Sequence, residues 1–256
     1  MKKILYMSSL VVLLSACASS YNVEGTSSIS ALDGNKLYLK AIKNNEMKNV
    51  DSCDVVHGEF HFAGLLDTVR MASLFMDDES IMPVVLEEGD IKIKIDNASQ
   101  SVSGTPLNDS LYKFIDRHNQ LTNRMAELSH RQSQMLLDGV DENVIDQQLS
   151  AEASKIASEE DQLVTKFIID NFDNVLGPGV FMMVTSQYRY PVLTPQIEDI
   201  MSKASKKFKE DPYVSDYYKT AQENEARMSG LDDTGVLSAD TPAPQAPAPL
   251  TNVPQQ

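Results

Sequence analysis

Val102-Ser103-Gly104-Thr105-Pro106-Leu107-Asn108-Asp109-Ser110-Leu111-Tyr112-Lys113-Phe114 is where the chain changes its hydrophobic period. Upstream, apolar residues come in short alternating runs; from Leu107 they step by three and four. Thr105 is placed to cap a helix and Pro106 to occupy its first turn. Leu107, Leu111, Phe114, His118, Leu121, Met125, Leu128, Gln132 and Met135 then fall on one helical seam. Such a seam predicts an amphipathic helix of about 30 residues, roughly 45 Å long. His118 reads as a half-buried seam residue rather than a ligand. Gly139 suits the helix stop, and Asp141 can cap a second helix over Glu142–Asn171. That helix carries a weaker stripe of Ile145, Leu149, Ala153, Ile156, Leu163 and Phe167. Glu159-Glu160-Asp161 break it and are expected to face water. The short connection implies an antiparallel helical hairpin. With so weak a partner, the first seam near Met125, Leu128, Met135 and Leu136 is left without a match in the hairpin; the short helices after Gly179 are expected to cover it, and the alternative is an exposed strip that contacts another protein.

Downstream, Gly177-Pro178-Gly179 is expected to reset the chain direction before a short apolar helix, Val180–Tyr188. It lacks the spacing and the following Lys of a phosphate loop. Thr194-Pro195 and Asp211-Pro212 mark two further helix starts, with Ile197, Ile200, Met201 and Phe208 on one face.

Upstream, β-prone runs alternate with turn residues. They are Tyr21–Ile29, Lys36–Ile42, Lys48–Val56, Glu59–Ala63, Arg70–Met76, Met82–Leu86, Ile91–Ile95 and Val102-Ser103. This spacing predicts an antiparallel sandwich-like domain. His57-Gly58 predicts a two-residue turn, because Gly accepts the positive φ such turns require. The register that follows pairs Val56 with Glu59, Val55 with Phe60, Asp54 with His61 and Cys53 with Phe62. Alternation puts Val55, Cys53, Phe60 and Phe62 on the apolar face, and Asp54, Val56, Glu59 and His61 on the other. Cys53, His57 and His61 have tempting spacings but diverge, so no metal site is expected. His61 is expected to pair with Asp54, and Cys53 to act as a small core residue.

The fold class is therefore α+β, with four segments. Residues 1–16 are a leader, 17–103 a β domain, 104–228 a helical domain and 229–256 an Ala/Pro-rich tail. The alternating Ala and Pro of Thr241–Pro249 favour extended polyproline II and offer too little apolar bulk for a core. The chain has 256 residues, 42% of them hydrophobic, no Trp and a net charge of −15. That surface repels nucleic acid, so no nucleic-acid partner is expected.

Lys2 and Lys3, the apolar run Ile4–Leu14 and then Leu14-Ser15-Ala16-Cys17 resemble a bacterial lipoprotein signal. The apolar run is about 11 residues, too short for a spanning helix, which needs ~20. The resemblance implies cleavage before Cys17 and lipidation of its sulfur, so the membrane becomes a partner through Cys17. Losing Lys2 and Lys3 moves the net charge from −15 to −17. Cys53 is then the only free thiol, and no intramolecular disulfide can form.

Val50–Gly64, Val84–Ile93 and Val102–Phe114 look like the domain of unknown function 4369 of Bacteroidetes lipoproteins. In that family the β domain and a helical segment commonly precede a thioredoxin-like thiol-disulfide oxidoreductase domain, and Tyr190–Met228 looks like the helical stretch leading into it. Here the Ala/Pro tail stands in that place, and no Cys-x-x-Cys occurs. Two thiols are the minimum for that exchange chemistry, so the family's activity does not carry over. The resemblance also implies a side of the membrane. Relatives exported to the surface carry acidic residues just behind the lipidated cysteine. Ala18–Val23 has none, so the expected location is the outer membrane, facing the periplasm.

The resulting expectation is a lipid-anchored, non-catalytic binding or scaffold module with no catalytic residue, no cofactor and a possible protein partner in the cell envelope. Two alternatives stand beside it. One is an accessory subunit of a separate thioredoxin-like protein; the other is an enzyme with a carboxylate-based site.

Overall fold

The computed structural model describes residues 19–43 and 46–230. The leader, Cys17 and nearly all of the Ala/Pro tail lie outside them. The described residues form eight strands and six helices, an α+β arrangement. The first sheet has the order β4-β1-β7-β8, built from β1 (Ser20–Ser27), β4 (Glu59–Leu65), β7 (Gly89–Ile95) and β8 (Gln100–Ser103). The second has the order β3-β2-β5-β6, built from β2 (Lys36–Lys43), β3 (Glu46–Asp54), β5 (Arg70–Met76) and β6 (Glu79–Leu86). Each predicted run is a strand. The sheets are antiparallel except for β1 and β7, which run parallel. β1 sits inside the first sheet, and β2, β3, β5 and β6 fill the second before β7 returns. That long return lets β7 enter in the direction of β1.

Alternation decides the core. Val23, Phe62, Ile91, Ile93 and Val102 from one sheet meet Leu37, Leu39, Leu74 and Val84 from the other, all buried. Glycine clears room for two aromatics. A Cβ on Gly25 would stand 2.0 Å from the Phe60 ring, and one on Gly64 would stand 2.7 Å from the Tyr21 hydroxyl.

The His57-Gly58 turn forms, with φ of 54° and 76°. Val56 and Glu59 exchange backbone hydrogen bonds of 2.9 and 3.1 Å across it. The ladder predicted beyond it does not form. Cys53 pairs with Leu37 and Asp54 with Lys36 in one sheet; Phe60 pairs with Gly25 and Phe62 with Val23 in the other. The turn is thus a corner between sheets. The predicted faces still hold, because alternation belongs to each strand separately. Val55, Phe60 and Phe62 are buried and Cys53 half-buried, while Asp54, Val56, Glu59 and His61 are exposed.

Helix α1 (Pro106–Leu137) closes one side of the sandwich. β6 is an edge strand, and α1 side chains satisfy its free backbone. Val85 N–H donates to Asn108 Oδ1 at 2.9 Å, and Asn108 Nδ2 donates to Val85 O at 2.8 Å. The Tyr112 hydroxyl donates to Pro83 O at 2.9 Å. An edge covered in this way cannot recruit another strand. Thr105 has cap geometry but makes no cap bond to the helix backbone. Glu87 supplies it instead, accepting from Leu107 N–H at 2.8 Å and Asn108 N–H at 3.0 Å. A carboxylate there also meets the positive end of the helix dipole.

Helix α2 (Glu142–Asp170) returns antiparallel to α1, with Asp141 capping through Asn143 N–H at 3.0 Å. Gly177-Pro178-Gly179 does not form a separate turn; it lies in the first turn of α3 (Leu176–Thr185). Pro is tolerated there because first-turn N–H groups have no helical partner. The glycines allow close approach. A Cβ on Gly177 would lie 2.4 Å from Asn171 O, and one on Gly179 would lie 2.7 Å from Met71 Cγ of β5. Thr194 and Asp211 cap α4 (Pro195–Lys203) and α6 (Pro212–Met228). Phe208 belongs to a separate short helix, α5 (Lys206–Lys209), and is fully buried. One continuous core runs from the sandwich through the base of α1 and α2 into α3, α4 and α6.

Candidate functional site

Cys17, the residue expected to carry lipid, lies outside the described residues. Cys53, His57 and His61 do not converge. Cys53 is half-buried against the sandwich core, and burial pushes its thiol pKa up, away from a reactive thiolate. His57 occupies the turn. His61 Nε2 lies 2.6 Å from Asn22 Oδ1, not beside Asp54, which pairs with Lys36 at 3.5 Å. That partner was hidden because β4 pairs with β1 rather than β3. Among the described residues, no group of three or more His, Cys, Asp or Glu side chains could hold a metal.

Open clefts among the described residues include the following two. One, about 310 Å³, lies between the β7–β8 turn and α1 over Met82, Pro83 and Ile115. Its one carboxylate, Asp96, accepts from Ala98 and Ser99 N–H, which close the turn and hold its pKa below the usual carboxylate range. Its one phenol, Tyr112, is pushed far above its usual range by burial. The other cleft, about 340 Å³, is bordered by Lys209, Ser215, Tyr218, Lys219 and Gln222. Neither brings two carboxylates together.

The hairpin is the feature with a distinctive architecture. Its base belongs to the main core through Leu111, Phe114, Val164 and Ile168. Its distal half has a core of its own, made by Leu121, Leu128, Ile145, Leu149 and Ile156. Met125, Met135, Val140, Ala153 and Leu163 pack around it, so among the described residues only the hairpin contributes. Most of the strip is therefore covered, though not by the later helices as expected. Leu128 is buried, and α2 itself covers it. The stripe of α2 is broken elsewhere, at the base.

Of that break, Asp161 faces water as expected, but Glu159 and Glu160 are half-buried and paired. Glu159 receives Arg124 at 2.9 Å and Arg117 at 3.5 Å, and Glu160 lies 3.0 Å from His118 Nε2. The hydrogen bond from His118 holds the Glu160 pKa below its usual value. His118 is half-buried, with its ring 5.9 Å from that of Phe114. A charged layer thus stands where the main core ends and the distal core begins. It joins a body to a two-helix arm.

The arm ends in a tight turn. Val140 N–H donates to Met135 O at 3.0 Å and Gly139 N–H to Leu136 O at 3.1 Å, with Gly139 at φ 77°. This is a Schellman closure, and it folds Val140 back beside Met135. Leu136 and Leu137 remain 51% and 88% exposed, and Val144 is 41% exposed. Sequence reasoning singled out Leu136 but missed Leu137 and Val144, which lie off both seams.

Among the described residues, no helix is long and apolar enough to cross a membrane. No curated protein matches the chain. Residues 21–111 match the family described as Domain of unknown function (DUF4369), a span that runs from β1 into the first turns of α1 and takes in the Glu87–Asn108 junction. Over that span the chain is similar to DUF4369.

Proposed function

We propose that the protein is a non-catalytic binding or scaffold module, held by lipid on Cys17 at the periplasmic face of an outer membrane. The observation that carries the binding role is the arm. Distal α1 and α2 spend their apolar faces on each other and hold one end of the hairpin clear of the body. A helix pair that adds nothing to the main core is accounted for by what it presents. Cys53, His57 and His61 point apart and neither cleft pairs carboxylates, which favours binding over chemistry. The anchor rests on Leu14-Ser15-Ala16-Cys17 behind Lys2, Lys3 and the short apolar run.

The test is native electrophoresis of the membrane fraction. Full-length protein is expected in that fraction, in a complex larger than its own mass. Cys17→Ala is expected to leave the leader uncleaved or to shed the protein in soluble form. An unmodified N-terminus by mass spectrometry, or a free monomer in mild detergent, overturns the reading.

A further inference from the structure

The tip of the arm carries two features that the stability of the hairpin does not call for. The first is apolar exposure. The turn needs only Gly139 and the Val140–Met135 contact, yet Leu136, Leu137 and Val144 stand in water around it. The second is charge. The helix dipole favours cations at the C-terminus of α1, but its last turn has no basic residue and its C-cap is Asp138. Asp141 and Glu142 have a structural reason, since they sit at the N-terminus of α2. Asp138 and Asp146 have none. From residue 132 to residue 154 the chain has five acidic residues and no Lys, Arg or His. One of them, Glu152, is paired with Arg131. Local rules broken together at one spot mark a functional surface.

We propose that Leu136, Leu137 and Val144, collared by Asp138, Asp141, Glu142 and Asp146, dock into an apolar socket bordered by Lys and Arg on another membrane protein. The inference rests on the binding-module reading and names its surface and partner chemistry. The collar selects the occupant. Two copies meeting tip to tip would bring acid against acid, and anionic headgroups would be repelled. A cationic rim satisfies the carboxylates while the socket removes the leucines from water. The knob is small, so the contact is weak in solution. Confining both partners to one membrane supplies the effective concentration it needs.

The test is site-specific photocrosslinking in intact cells, using the full-length lipidated protein with a photoreactive residue in place of Leu137. A second probe replaces Asn123, exposed on the shaft of α1. Leu137 is expected to yield one adduct with a different protein, and Asn123 none. Leu136→Asp and the pair Asp138→Lys with Asp146→Lys should each lower the yield at least fivefold. All these side chains are exposed, so the melting temperature should not fall. High salt should weaken the adduct as well. An adduct of two copies of this chain, or one indifferent to charge reversal, overturns the inference. An adduct from Asn123 alone leaves a binding module with its contact elsewhere. Absence of any adduct from both probes, in cells where the native complex is present, also defeats the tip.

Discussion

At the scale of single residues, the junction between sheet and helix rests on Asn108. Its amide meets both backbone groups of Val85 and also donates to Thr105 Oγ1 at 2.8 Å, all without exposure to water. Removing the amide orphans a buried N–H and a buried carbonyl. Asn108→Ala should therefore cost roughly 2–4 kcal/mol, since each unsatisfied buried group costs about 1–3. Urea unfolding should show a lower midpoint at unchanged slope, while Asn123→Ala on the exposed shaft should change little. Thr105 was legible as the helix boundary, because the cap geometry is local. The acceptor for the first-turn N–H groups was not, because Glu87 lies 20 residues upstream of Leu107 and reaches the helix only through the fold. The His61 partner was hidden for the same reason: alternation specifies a face, not a neighbouring strand.

At the scale of elements, strand positions, the hairpin and three of the helix caps were legible, since each follows from local periodicity and turn chemistry. The sheet assignment of β3 and β4 was not. Two strands joined by a tight turn usually pair, and only the whole sandwich shows that these part. The hairpin also changes the meaning of Leu128. It is 5% exposed inside the arm's own core, so Leu128→Glu buries a carboxylate and should lower the melting temperature sharply. The Glu159–Glu160 break predicts a dependence on pH. The folded pKa of Glu160 lies below its ordinary 4.5, so its bond to His118 favours the ionised form. That contribution is complete above the unfolded value and is lost as pH falls through the folded one. Arm stability should therefore decline from about pH 4.5 downward, and Glu160→Gln should flatten that part of the curve. The group is partly exposed, so the effect is small, and amide exchange in the arm will show it better than global melting.

At the scale of the whole molecule, composition and period placed the β and helical regions in the right order but implied that each has its own core. The division lies elsewhere. One core spans the sandwich, the base of the hairpin and the later helices; the second belongs to the distal arm alone. Between them stand Arg117, His118, Arg124, Glu159 and Glu160, with Leu163 the half-buried side chain that touches both cores. Charged pairs with solvent access contribute little cohesion compared with buried apolar contact. The joint is thus the weakest longitudinal link in the hairpin, although both helices run through it without a break. Opening should follow that division. Native-state hydrogen exchange should find the amides of residues 121–156 exposed by a partial opening of lower free energy and weaker denaturant dependence than global unfolding. Amides of β2, β5 and β7 should exchange only through the global event. Ile156→Ala removes a fully buried side chain from the arm and should cost roughly 2–4 kcal/mol there. It should leave the β-strand amides nearly unchanged until the arm's opening is complete. If Ile156→Ala instead lowers protection equally in the arm and in β2, the two cores unfold as one unit and the joint is no boundary.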